Sequence, residues 1–162
     1  MIKNTLPALA LAALVAGCAQ PGPVTRTGAA SAIISSTVTV PAGYETIYLS
    51  GTTGTLPAPP GGTAPDSGDT EAQATRCLEK IKATLAEMGL TLGDVVMMHA
   101  YLAPEASTGR GDSAGWSKAY TKFFGTAEQP NKPSRTSVTV VLGGPAAKIE
   151  IETIAVRKPK AM

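Results

Sequence analysis

The sequence predicts an α+β domain in which a mixed β-sheet carries two helices packed on one face. Three observations predict it. Alternating, β-branched runs stand at both ends of the folding region. Two stretches with apolar residues at three- and four-residue intervals lie between them, and one short, almost wholly apolar run separates those two stretches. Period two marks strands and period 3.6 marks helices, and the resulting order, ββ-α-β-α-ββ, suits one sheet covered on a single side.

The elements follow in order. Ile34 to Val40 and Glu45 to Ser50 are extended runs on either side of Pro41-Ala42-Gly43, and they read as a hairpin. Positions 51–68 are dense in Gly and Pro and must be loop. Thr70 and Gln73 stand at capping-box spacing before a helix whose stripe is Leu78, Ile81, Leu85 and Met88, with Gly89 as its stop. Cys77 neighbours that stripe. Val95 to Leu102 is a strand so apolar that it predicts cover on both faces. A second helix starts near Ser113, buries Trp116, Ala119, Tyr120 and Phe123, and ends at Gly125. Five of the seven aromatic residues fall between Tyr101 and Phe124, so this region is expected to anchor the core. Arg135 to Leu142 and Lys148 to Val156 alternate as two further strands, joined through Gly143-Gly144-Pro145 as a second hairpin.

The chain has 162 residues, the size of one domain plus an appendage, and the appendage is at the N-terminus. Lys3 precedes an uncharged run from Leu6 to Gly17, twelve residues long. As helix it would cover about 18 Å of a hydrocarbon layer of about 30 Å, the length of a signal-peptide core and too short to span. It ends Val15-Ala16-Gly17-Cys18, which resembles a bacterial lipobox. The expected organisation is a signal peptide over 1–17, lipidation at Cys18, a flexible tether over 18–32 and a folded domain over 33–158. The expected location is the cell envelope, facing the periplasm, with Ala19 after the cysteine leaning toward the outer membrane. Acylation of Cys18 would leave Cys77 without a partner in the chain, a thiol best kept buried.

Composition excludes several chemistries. Lys plus Arg number 14 against 12 Asp plus Glu, a net charge of +2, too weak a bias to recruit nucleic acid electrostatically. With two cysteines and one histidine there is no set for a structural zinc or a disulfide framework, and no metal is expected. A Ser-His-Asp triad would have to run through His99, which by strand parity shares a face with Met97 and Tyr101. No carboxylate sits at a spacing that would orient it, so His99 reads as a surface or interface residue. Met97-Met98 reads as packing, and Gly51-Thr52-Thr53-Gly54 lacks the lysine of a phosphate loop.

Two features invite a ligand. Arg135, in Pro133-Ser134-Arg135-Thr136-Ser137-Val138, opens an apolar strand, where burial without an anion is costly and the planar guanidinium matches a carboxylate. Glu150 and Glu152 share one face of the last strand. Solvent exposure on an edge strand, or a structural ion pair between Arg135 and Glu150 or Glu152, would account for the same residues.

From about Thr46 to Arg157 the chain resembles the Rid family of RidA/YjgF-like imine deaminases. The blocks that carry the resemblance are Tyr48-Leu49-Ser50-Gly51, Gly89 to Val96, Ala119-Tyr120-Thr121-Lys122-Phe123-Phe124, Pro133 to Val138 and Lys148 to Val156. The resemblance implies a chorismate-mutase-like α+β fold, a homotrimer, and ligand clefts between adjacent subunits. It implies that Arg135 grips the carboxylate of a 2-imino acid and that Glu150 places the hydrolytic water. Ser50, Gly51 and Ser137 would line the same cleft, and no cofactor is called for. The chain departs from the family at three pocket positions. Thr37 stands where a tyrosine is common, Ser137 where a cysteine is, and Thr52 where a glutamine follows Ser-Gly. The expected function is hydrolytic deamination of reactive 2-imino and enamino acids. The alternatives are a trimeric binding module for small carboxylates that turns nothing over, and a structural or chaperone-like trimer.

Overall fold

The computed structural model describes residues 20–160; the signal segment and Cys18 lie outside the described residues. The elements are β1 (Thr25–Thr27), β2 (Thr37–Thr39), β3 (Glu45–Thr53), α1 (Thr70–Glu87), β4 (Val95–Leu102), α2 (Ser113–Thr121), β5 (Ser134–Thr139) and β6 (Ile149–Arg157). The main sheet has four strands in the order β3-β6-β4-β5, with β4 and β5 parallel and the other neighbours antiparallel. β1 and β2 form a separate antiparallel pair. Both helices pack on one side of the main sheet, as the sequence predicts. Among the described residues no helix is long and apolar enough to cross a membrane.

Neither predicted hairpin forms. β2 turns back onto β1, and β3 runs along β6 at the far end of the chain. The reason lies in which strand has apolar groups to offer the helix side. β3 brings Ile47 and Leu49 to the core, whereas β2 is Thr-Val-Thr and mostly exposed. At the other end, β6 buries Ile149, Ile151, Thr153 and Ala155 and therefore takes a central place between β3 and β4. β5 is largely exposed and occupies the edge beside β4.

β1 falls inside the stretch expected to be a tether. Arg26 fastens it to the domain, its Nη2 donating to the carbonyls of Gly93 at 2.9 Å and Val95 at 3.2 Å. Ser35 adds a second tie, donating from Oγ to Lys132 O at 2.6 Å.

α1 begins one residue before the expected cap. Asp69 is the N-cap, its carboxylate accepting from Ala72 N at 2.8 Å, because an ionised cap also favours the positive end of the helix. Gln73, freed from capping, is 1% exposed and becomes a cross-link. Its Nε2 donates to Gly68 O and Ala146 O, and its Oε1 accepts from Lys148 N at 2.9 Å. Leu78, Ile81 and Leu85 form the buried stripe, while Met88 closes the helix partly exposed. Gly89 then takes φ +72°, a left-handed position that stops the helix. α2 ends at Thr121, four residues sooner than expected, so Phe124 is buried beyond it and Phe123 only half so.

β4 corrects another expectation. Its helix-side residues Met98, Ala100 and Leu102 are buried, but Met97, His99 and Tyr101 on the other side are half-exposed. The four-stranded sheet thus has one side packed into the core and one side open.

Candidate functional site

Arg135 lies opposite Met98 in the parallel β4–β5 register, which puts its side chain on the helix side. There the guanidinium sits between two rings of α2, 5.1 Å from the centroid of Trp116 and 4.5 Å from that of Tyr120. Residues four apart on a helix project from one face, so both rings reach the same arginine. Trp116 is tied down in turn, its Nε1 donating to Ser137 Oγ at 3.0 Å. The two rings hold the guanidinium by cation–π attraction, worth about 0.5–2 kcal/mol each. They supply no hydrogen-bond acceptor. Arg135 Nη1 and the Tyr120 hydroxyl are buried and bond to nothing among the described residues. Burial lowers the Arg135 pKa from its ordinary value and raises that of Tyr120, while each group partly offsets the shift of the other.

Glu150 and Glu152 face the open side. Glu150 pairs with Tyr101 and Glu152 with His99 in the β4–β6 register. The structural ion pair with Arg135 therefore does not form: the carboxylates and the guanidinium are on opposite sides of the sheet. The ion pairs among the described residues are His99–Glu152, Lys122–Glu71 and Arg157–Glu45. Nor is β6 an edge strand.

Ser50 and Gly51 form an irregularity in β3, where the pairing with β6 shifts between Leu49 and Thr52. A side chain at Gly51 would overlap the Glu150 carboxylate, so glycine is what lets Glu150 lie across the neighbouring strand. Cys77 lies beneath this region, its thiol donating to Thr52 O at 3.1 Å. Burial pushes that thiol up to about 12, so Cys77 is no nucleophile.

The predicted residues thus fall into two groups. Ser50, Gly51 and Glu150 come together on the open side; Arg135 and Ser137 come together on the helix side. One chain does not join them. Thr37 is remote from both groups and bonds Thr27 hydroxyl to hydroxyl at 2.6 Å.

The sequence reading missed the partner of His99. His99 Nδ1 and Glu152 Oε1 are 2.8 Å apart, and Tyr101 approaches the same carboxylate less tightly. The two bonded residues are 53 positions apart, and only the β4–β6 register makes them neighbours. The signal available in sequence was parity alone: His99 and Tyr101 alternate on one strand, Glu150 and Glu152 on another. Among the described residues, no group of three or more His, Cys, Asp and Glu stands close enough to hold a metal ion.

Residues 31–157 match the family model described as Endoribonuclease L-PSP. The chain belongs to this family. It is the Rid family that the sequence blocks resemble, and relatives bear that out. A 2-iminobutanoate/2-iminopropanoate deaminase of Salmonella typhimurium is 35% identical over 107 residues, 66% of this chain and 78% of that protein. A RutC family protein of Haemophilus influenzae is 35% identical over 107 residues, with the same two shares of 66% and 78%. Solved structures agree in fold. The crystal structure of Escherichia coli TdcF with bound serine matches with a TM-score of 0.56 at 30% identity, over 74% of this chain and 85% of that one. The yjgF gene product of E. coli matches with a TM-score of 0.54 at 32% identity, over 70% and 81%.

Proposed function

We propose that this Rid protein hydrolyses small 2-imino or enamino acids to the corresponding 2-keto acid and ammonia. The observation that carries the reading is Arg135, half-buried between two aromatic rings, with a buried Nη1 that no group of the chain satisfies. An unpaired buried guanidinium costs several kcal/mol unless an anion completes it, and a carboxylate fits its fork. The relative named as a 2-iminobutanoate/2-iminopropanoate deaminase supports the choice of acid.

In this mechanism Arg135 fixes the substrate by its carboxylate, which converts a bimolecular encounter into a held geometry. Glu150 orients a water and takes its proton as the water attacks the imine carbon; the proton then leaves with ammonia. Ser50, Gly51 and Ser137 line the site. Arg135 and Glu150 would work on one substrate across a boundary between copies, with the Arg135 group of one chain meeting the Glu150 group of its neighbour. Exposed apolar groups at both edges of the main sheet, Tyr48 on β3 and Val138 on β5, are consistent with such an assembly, proposed to be a homotrimer.

The family description names a ribonuclease. Here Trp116, Tyr120 and Phe124 are buried and the net charge is +2, which offers an RNA neither stacking surfaces nor a basic groove. We also propose export and lipid anchoring through Cys18, with mass spectrometry of the mature N-terminus as its check; an unacylated Cys18 would remove that part.

The test is hydrolysis of 2-iminopropanoate generated by an amino-acid oxidase, with semicarbazide trapping the imine that escapes. The full chain is expected to suppress semicarbazone formation, and Arg135→Ala to lower the rate roughly 100-fold or more, the worth of two charge-assisted hydrogen bonds. No suppression across a panel of imino acids would leave carboxylate binding without turnover.

A further inference from the structure

The open side of the sheet carries a polar tract that the proposed mechanism does not use. Across β4 and β6 it runs Glu150, Tyr101, Glu152, His99: Tyr101 pairs with Glu150, His99 pairs with Glu152, and all four side chains share one side. Diagonal neighbours on one face of an antiparallel pair are about 7–8 Å apart, within reach of long side chains. Tyr101 spans that diagonal, standing beside Glu150 while its hydroxyl turns toward Glu152.

The donors and acceptors of this tract are constrained. An ionised carboxylate only accepts, so Glu152 takes Nδ1–H from His99 on Oε1 at 2.8 Å. The same carboxylate draws the hydroxyl proton of Tyr101. Partial burial, the hydrogen bond to Glu152 and the charges of Glu152 and Glu150 all hold the Tyr101 phenol above its ordinary pKa, so the hydroxyl keeps its proton. A phenol whose proton is committed to a carboxylate has only lone pairs left to offer. It can accept a hydrogen bond from a ligand and has none to donate.

We infer that Tyr101 is a substrate-binding residue of the Glu150 group, and that its oxygen accepts an N–H from the substrate nitrogen. Glu152 and His99 are positioning residues that fix which way the hydroxyl points. The chemical class selected is a small carboxylate bearing an imine or amine N–H two carbons from the Arg135 end. Tyr101 thereby discriminates against acids of the same size that lack nitrogen. On β5, the residues that flank this patch are Thr136 and Val138, opposite His99 and Tyr101, and neither is ionisable. The groups that can titrate against the tract are therefore its own Glu150, Glu152 and His99. The inference rests on the proposed site but not on its turnover.

The sole tryptophan, Trp116, touches Arg135 and reports ligand binding by its fluorescence. The full chain is titrated with L-serine and with 3-hydroxypropanoate, which is serine without its amino group. Wild type is expected to prefer serine by about 10-fold or more, the worth of one hydrogen bond with a charged partner. Tyr101→Phe should erase that preference and leave 3-hydroxypropanoate affinity unchanged. Glu152→Gln and His99→Gln should reduce the preference without touching 3-hydroxypropanoate, which a merely structural role would not do. A wild type without the preference, or a Tyr101→Phe variant that keeps it, overturns the inference. The failures separate cleanly. Intact discrimination without imine hydrolysis defeats the deaminase and leaves Tyr101 in place; hydrolysis with unaltered serine preference in Tyr101→Phe does the reverse.

Discussion

On the helix side of the sheet, Met98, Ala100, Leu102, Ile149 and Ile151 meet Leu78, Ile81, Leu85, Trp116 and Tyr120, all at 2% exposure or less. On the open side, the same strands present Met97, His99, Tyr101, Glu150 and Glu152, every one of them partly exposed. The two sides are made by alternate residues of single strands, yet they obey different rules. The helix side is finished within the chain: apolar surface is covered and polar groups such as Gln73 are bonded. The open side has its charges arranged but not covered, as a surface does that meets a ligand or another copy. Arg135 is the exception that connects them, a cation on the finished side whose bonding is unfinished.

If that contrast is right, equal-sized changes should cost stability on one side and function on the other. The largest expected effect is on the helix side. Gln73→Leu strands Lys148 N and two carbonyls in the core, and a buried unsatisfied group costs about 1–3 kcal/mol. Urea denaturation of the variant should show a loss of about 3 kcal/mol with no change in slope. A loss under about 1 kcal/mol would mean that the loop before β6 is not fastened by this cross-link.

Gly51→Ala probes the open side. The added methyl overlaps the Glu150 carboxylate, which is the far end of a flexible side chain and can swing away. Stability should therefore change by less than about 1 kcal/mol, while imine hydrolysis falls about 10-fold because the water loses its orienting base. Gly54, three residues on, behaves differently. Its Cβ would strike the backbone of Gln73, which cannot move without shifting α1. Gly54→Ala should thus resemble the Gln73 variant, and parallel outcomes for the two glycines would erase the distinction between the sides.

These pairs also show what a sequence carries. α1 was legible because its stripe and Gly89 are local signals, and the two glutamates sharing a side followed from parity within one strand. Strand partners were not legible. Both hairpins looked natural because close strands with a turn between them are cheap to pair, but β3 and β6 had more apolar surface to bury with each other's neighbours. The same gap hid the site. Parity places Arg135 relative to Ser137, and Glu150 relative to Glu152. Only the registers across β5, β4 and β6 show that the two sets face opposite ways, and that His99 meets Glu152.

The smallest effect concerns Cys77, where the two sides meet beneath the bulge of β3. Its thiol is raised to about 12 by burial against an ordinary value of 9.0, so the sign of its linkage is fixed. Below pH 9 both folded and unfolded chains keep the proton and Cys77 contributes nothing to the pH dependence. Between about 9 and 12 the unfolded chain releases a proton that the folded chain retains. Stability then falls as pH rises, by up to about 1.4 kcal/mol per unit. Other groups titrate there too, so the measurement is a difference: denaturation of wild type and Cys77→Ala at pH 7.5 and pH 10. Wild type should lose about 1 kcal/mol more than the variant over that interval. Equal slopes would mean that the thiol is reached by solvent from the open side through the Gly51 irregularity. In that case the bulge would be a breach in the core wall as well as a seat for Glu150.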